Sequence, residues 1–392
     1  MMQITDILSI LARQEAQRLR AADRLSLSML AGDVGGLLLL YEYSQINPSY
    51  TMIADEVLDK LLITLKKPPF LSTYCNGLAG FVIALDALHR DGHIDDFSCH
   101  LQSIDHFLAH EMRAMASVNH HDFLHGIIGL GFYWLARYHQ GCSEATDQLA
   151  FILRHLIKTQ ERDGACIKWP QKETEMVRKY NISLSHGYSS TTILLCRMLE
   201  VPSLPADEIL QLIGGATRYL QANRLDPERY GCWFASTSLE CEPPHRTRLA
   251  WCYGDLGIAI ALKRAGEAHH DDHLTALSRQ VLEFSAQYRR NLRENYINDT
   301  SICHGASGVG LIFREMSKQF QSSTMADAAD YWRDCVTRLV HQVGDEWHFP
   351  YYDAVEKKIV YRNGILEGDA GVALYLLNEI KASSLPHLLL IS

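Results

Sequence analysis

The feature that most constrains this chain is a short turn, Gly-x-x-small residue, that opens an apolar run of helical length and occurs seven times. Its copies are "GDVGGLLLLY" from Gly32, "GLAGFVIALDAL" from Gly77, "GIIGLGFYWLARY" from Gly126, "GYSSTTILLCRML" from Gly187, "GDLGIAIALKRA" from Gly254, "GASGVGLIFREM" from Gly305 and "GDAGVALYLLNE" from Gly368. Successive copies start 45 to 67 residues apart, room each time for the apolar helix, a connection and a second helix. The second helix is visible as well: "DFSCHLQSIDHFLAHEMRAM", "ADEILQLIGGATRYLQANR" and "HDDHLTALSRQVLEFSAQYRRNL" carry apolar residues at three-to-four spacing. A helix apolar nearly all round must be buried on every side, and one with a single apolar stripe must lay that stripe over something. Seven of each predict an all-α protein, an α/α toroid of seven inner helices shielded by seven outer ones, with residues 1–392 forming one domain. The glycines have a place in it, because only residues without side chains let inner helices start where backbones converge. A single Gly-x-x-Gly means little; seven at the same place relative to seven apolar helices mean a repeat.

Three stretches break the rhythm. Residues 161–187, "ERDGACIKWPQKETEMVRKYNISLSHG", are polar and β-branched, and predict a long loop or hairpin, with a small insertion around 161–185. Residues 226–254 read as non-helical from their Pro and Gly content, and residues 346–364 as able to hold short strands.

Composition excludes several function classes. Charged residues at 21% and hydrophobic ones at 47% describe an ordinary globular chain. A formal charge of −9 with no Lys/Arg-rich run argues against a nucleic-acid partner, which would be held by clustered cations. No apolar run approaches the ~18 residues of a membrane span. The opening "MMQITDILSILARQEAQRLR" reads as an amphipathic helix without a basic leader or cleavage site, so the chain is expected in the cytoplasm, near a membrane only through partners. Ten dispersed cysteines with no CxxC pair make a disulfide framework improbable, and most are expected as small buried apolar residues.

Turns that converge bring together the residues just before each glycine. Before Gly254 stands Cys252, before Gly305 stand Cys303 and His304, before Gly187 stands His186, and before Gly126 stand Asp122 and His125. Two thiolates and an imidazole from neighbouring repeats make a three-ligand zinc site with its fourth position open, as in catalytic zinc centres. Soft sulfur donors favour zinc over magnesium or calcium. "ICHG" alone would as readily be a buried thiol beside a core histidine; "WCYG" at the equivalent place, 51 residues upstream, reverses that balance. Zinc with two thiolates is a weak Lewis acid toward water but takes up a further thiol and holds it as a nucleophilic thiolate, so the open position points to a thiol substrate. Adding sulfur to an electrophile also needs proton transfer. His186 has the intrinsic pKa for it. Asp122 could hold His186 or pair with Arg248, whose guanidinium could stabilise a developing enolate. Singly, each has a plain structural reading: a helix-start histidine, an N-cap, a surface charge.

The turns "RLAWCYGDLG", "ICHGASGVG", "SLSHG" and "DFLHGIIGLG" resemble the signature turns of the lanthionine synthetase C-like family, and the seven repeats extend that resemblance over nearly the whole chain. It implies an α/α toroid, a zinc ion on Cys252, Cys303 and His304, and catalytic roles for His186, Asp122, Arg248 and Tyr253. The implied reaction joins a cysteine thiol of a precursor peptide to the β-carbon of dehydroalanine or dehydrobutyrine, closing a thioether ring. Asp122 would orient His186, and His186 or Arg248 would protonate or stabilise the enolate. The implied partners are the dehydrated precursor peptide, a lanthipeptide dehydratase and an exporter. Two places depart from the family pattern: His125 stands where a glutamate is common, and "GYSS" where a second glycine is usual.

Other readings compete. A eukaryotic-type homologue would join glutathione to dehydrated residues instead of closing rings, and a non-catalytic zinc scaffold would only grip a peptide or partner enzyme. The length leaves no room for a dehydratase domain ahead of the toroid, which favours a stand-alone cyclase. Prenyltransferase-like toroids have six helix pairs and phosphate-handling sites; seven repeats without such sites count against them.

Overall fold

The computed structural model describes residues 3–170, 180–344, 346–353 and 356–392. In chain order its helices are α1 (Ile4–Ala21), α2 (Val34–Ser44), α3 (Tyr50–Thr64), α4 (Leu78–Arg90), α5 (Gln102–Ser117), α6 (Ile127–His139), α7 (Ala145–Thr159), α8 (Tyr188–Met198), α9 (Ala206–Ala222), α10 (Pro227–Tyr230), α11 (Asp255–His269), α12 (Asp272–Tyr288), α13 (Ala306–Phe320), α14 (Ser323–Arg338), α15 (Asp369–Asn378) and α16 (Leu385–Leu388). Two compact units contain them, one formed by Met1–Asp96 with Leu292–Ser392 and the other by Phe97–Asn291.

In the first unit, α2, α4, α13 and α15 are the apolar helices. Every residue of α2 and of α15 is buried, as an all-round apolar sequence requires. Helix α1 lays its stripe, Ile7, Leu8, Leu11, Ala12, Ala16 and Leu19, against α2 and α15; α3 covers α2, and α14 covers α13. In the second unit, α6, α8 and α11 are the apolar helices, and α5, α7, α9 and α12 pack on them with stripes such as Leu149, Ile152, Leu153 and Leu156. Among the described residues, seven helices are therefore of the first kind and seven of the second.

Five of the seven glycine turns share one hydrogen-bond device. The first helical N–H reaches back seven residues to a carbonyl of its own turn: Leu78 to Leu71, Ile127 to His120, Tyr188 to Asn181, Ala306 to Asp299 and Asp369 to Arg362, at 2.9 to 3.1 Å. These helices have no side-chain cap, and the turn's carbonyls satisfy donors that a helix start leaves unpaired. Such a turn folds tightly over the helix end. At Gly308 an added Cβ would fall on the carbonyl oxygen of Ile302, so in this turn the second glycine is a contact requirement. Gly254 differs, with φ +81°, and the buried Asp255 after it accepts the N–H groups of Trp233 and Phe234 and pairs with Arg289 at 2.9 Å.

Neighbouring turns are stitched to one another through the residue two places before the glycine. In the first unit Leu30 N–H donates to Cys75 O, Leu366 N–H to Leu30 O, and Cys303 N–H to Leu366 O. In the second, Ser185 N–H donates to Cys252 O. Register between repeats is thus fixed by backbone groups, which leaves the side chains at these places to chemistry.

The interruptions form small antiparallel hairpins: β1 (Glu161–Asp163) with β2 (Cys166–Lys168), β3 (His341–Val343) with β4 (Glu346–His348), and β5 (Tyr351–Asp353) with β6 (Lys358–Val360). Of the insertion expected around 161–185, residues 171–179 lie outside the described residues. The non-helical reading of 226–254 needs one correction. Pro227 at the first helical position and Asp226, whose carboxylate accepts the Glu228 N–H at 3.0 Å, start the single turn α10. No helix among the described residues is long and apolar enough to cross a membrane.

Candidate active site

Three histidines, His125, His186 and His304, each stand one residue before a turn glycine, and the rings of two, His186 and His304, meet a carboxylate. His186, at the start of α8, places Nδ1 2.6 Å from Oδ2 of Asp122 in the turn before α6. Asp122 is almost fully buried, and its other oxygen accepts the His125 N–H at 2.6 Å. Burial pushes the Asp122 pKa up, but the hydrogen bond and charge of His186, helped by His125, outweigh it and hold the carboxyl below its ordinary value. His186 moves the other way: burial opposes its charge, yet the Asp122 hydrogen bond, the Asp122 charge and the nearby Cys252 thiolate raise its pKa. The pair therefore favours an imidazolium on a carboxylate.

The His186 ring lies near the aromatic rings that stand before the turns on either side of it in sequence. His125 lies 6.5 Å from His186 between ring centroids, nearly parallel, and Tyr253 lies 6.1 Å from His186 on the next repeat. Burial, together with the charge of His186, lowers the His125 pKa, although Asp122 pulls it upward. Of the two partners expected for Asp122, His186 is the one it meets; no ion pair among the described residues joins it to Arg248. Arg248 is half-buried, and its carbonyl packs under Gly254. This places it in the segment that leads into the Cys252 turn.

Cys303 and His304 sit in the turn before α13. His304 Nε2 is 3.5 Å from Oδ2 of Asp299, and its ring lies 5.4 Å from that of Tyr351 on β5. Tyr351 donates its hydroxyl to Glu367 at 2.9 Å, and Glu367 stands immediately before Gly368. The Arg362 guanidinium covers the Tyr351 ring at 4.7 Å. Burial, followed by Glu367 and the Cys303 charge, raises the Tyr351 pKa and keeps it a neutral phenol.

Cys252, Cys303 and His304 each offer one ligand atom, and these atoms lie within 4.8 Å of one another. Among the described residues this is the one group of three or more His, Cys, Asp or Glu side chains close enough to hold a metal ion. Two sulfurs and one imidazole nitrogen fit zinc, whose three-ligand sites use such donors, and do not fit the hard cations. Sequence reasoning missed Asp299 and Tyr351. Asp299 stands in "NDTSICHG", where it reads as one more polar loop residue, and Tyr351 is 47 positions beyond His304 with no shared motif.

Comparison with known proteins gives a family and a fold. Residues 23–390 match the family described as lanthionine synthetase C-like protein. No curated protein matches the chain by sequence. Among solved structures, nisin cyclase matches with a TM-score of 0.76 at 18% identity, covering 99% of this chain and 97% of that one. At that identity the likeness carries the fold, the α/α toroid that the repeats predict.

Proposed function

Because the chain belongs to the lanthionine synthetase C-like family, we propose that it is a zinc-dependent lanthionine cyclase, a single toroid domain acting on a dehydrated precursor peptide. The observation that carries this reading is the Cys252–Cys303–His304 donor set. These three residues would hold the zinc ion. Bound there, zinc lowers the pKa of a substrate thiol and keeps its sulfur nucleophilic at neutral pH.

The remaining chemistry belongs to side chains. Asp122 holds Nδ1 of His186, so Nε2 is the nitrogen that exchanges a proton with the substrate. As the peptide sulfur bonds to the β-carbon of dehydroalanine or dehydrobutyrine, the π pair of the C=C bond moves into an enolate. His186 delivers its proton to the α-carbon, and the proton released by the substrate thiol restores the imidazolium. Arg248 supplies positive charge for the enolate oxygen, and Tyr253 borders the His186 ring. A dehydratase must act before this step, since it makes the acceptor alkene, and an exporter would take the product. The chain would work in the cytoplasm, at a membrane only through such partners.

Incubating the zinc-loaded protein with a dehydrated, cysteine-containing peptide, with and without glutathione, tests the reading. Ring formation without added thiol is expected, seen as loss of alkylatable cysteine at unchanged mass. Products that appear only with glutathione and carry its mass would assign the chain to the glutathione-adding class. Zinc-free protein with full activity would overturn the mechanism.

A further inference from the structure

The turns that carry His186 and His304 are built alike. In "NISLSHG" Asn181 Oδ1 accepts the Ser183 N–H at 2.9 Å, Ser183 Oγ accepts the His186 N–H at 3.2 Å, and Asn181 O accepts the first helical N–H, from Tyr188. In "DTSICHG" Asp299 Oδ1 accepts the Ser301 N–H at 2.9 Å, Ser301 Oγ accepts the His304 N–H at 3.4 Å, and Asp299 O accepts the N–H of Ala306. The first turn makes these bonds with a neutral amide, so the turn itself does not need a charge. Asp299 is fully buried, and a buried carboxylate is unfavourable unless something compensates it.

The compensation lies on the second oxygen. Oδ2 of Asp299 accepts the Tyr352 N–H at 3.0 Å and faces Nε2 of His304 at 3.5 Å. The two histidines therefore meet their carboxylates through opposite nitrogens: His186 through Nδ1, from an acid one repeat away, and His304 through Nε2, from an acid inside its own turn. A carboxylate on one ring nitrogen fixes the tautomer and leaves ligation to the other.

We propose that Asp299 is the positioning residue of the metal site, holding His304 with its Nε2–H toward the carboxylate and thereby making Nδ1 the ligating nitrogen. Asp299 does not touch substrate or metal in this arrangement. Its hydrogen bond to the Tyr352 N–H also ties the β5 segment, with the Tyr351 ring, against the same histidine. This inference rests on the zinc reading above.

Two measurements test it. In zinc-loaded parent protein with 15N-labelled histidine, the ring resonances of His304 should show a proton on Nε2 and the metal-induced shift on Nδ1; the reverse assignment overturns the proposal. In chelator competition, Asp299→Asn should weaken zinc binding by about 10–100-fold. In a His304→Cys background, where a thiolate replaces the ring, the same substitution should change affinity by no more than about twofold. Equal losses in both backgrounds would mean that Asp299 merely holds the turn, and an unchanged affinity in the parent background would also overturn the proposal. Parent protein that binds no zinc at all would instead defeat the zinc reading on which it rests.

Discussion

Nδ1 of His186 lies 2.6 Å from Oδ2 of Asp122, although the two residues are 64 positions apart and belong to different repeats. Each holds the other in its charged form, the carboxylate by accepting a hydrogen bond and the imidazole by donating one.

If His186 is the proton donor, His186→Ala should reduce kcat by about 10²–10⁴-fold with a much smaller change in KM. Asp122→Asn should lose a similar factor, and the double variant little more, because the residues act as one unit. The raised pKa of His186 also sets the pH profile: the active imidazolium persists above about pH 6.5, and activity falls as pH rises through the folded-state value. Asp122→Asn removes the cause of that shift, so the alkaline limb should move to lower pH. Initial rates of thiol loss across pH would check both statements.

Removing zinc should lower stability as well as activity, since an ion bound to the native chain alone stabilises it by about 2.7 kcal/mol at 100 times its dissociation constant. Cys303→Ala should lose bound zinc and ring formation together, with a melting midpoint close to that of the chelated parent. Metal analysis beside differential scanning calorimetry makes the comparison.

The glycine turns predict two unlike costs. Gly308→Ala places a Cβ on the Ile302 carbonyl and should destabilise by roughly 3 kcal/mol or more. Gly344→Ala, at φ +63° with open space around it, should cost only the left-handed backbone penalty of about 1–2 kcal/mol. Urea midpoints at constant m-value would measure each.

A second histidine gives a stability test away from the active site. His348 sits between Asp369, 2.7 Å from its Nδ1, and Glu346, 3.2 Å from its Nε2. The Asp369 hydrogen bond raises its pKa against the effect of burial, with Glu346 adding to the rise. A histidine raised on folding stabilises fully below about pH 6.5, its unfolded value, and the contribution disappears as pH rises through the folded value. The urea midpoint of the parent should therefore fall from about pH 6 to about pH 8, and His348→Gln should flatten that slope.

Local patterns were enough for the helices. Apolar periodicity marked the buried and covering helices, glycine marked their starts, and β-branched polar stretches marked where hairpins interrupt them, because each of these signals acts within a few residues. The Cys252, Cys303 and His304 donors were legible for a related reason: all three stand at fixed offsets from a repeated turn. Asp299 was not, since a polar residue six places before a glycine is as easily an Asx turn as a partner for a histidine, and Asn181 shows the same place filled by an amide.

The sequence by itself therefore determined the kind of helix at each position, the number of repeats and the donor atoms offered at each turn. Only the tertiary structure decided which side chains meet: that Asp122 takes His186 and not Arg248, that His304 faces Asp299 through Nε2, and that Tyr351 closes on it from a hairpin 47 residues away. Helix type follows from short-range periodicity and backbone freedom, whereas side-chain partnership follows from how whole repeats pack, and one turn's residues carry no information about what the next repeat will place beside them.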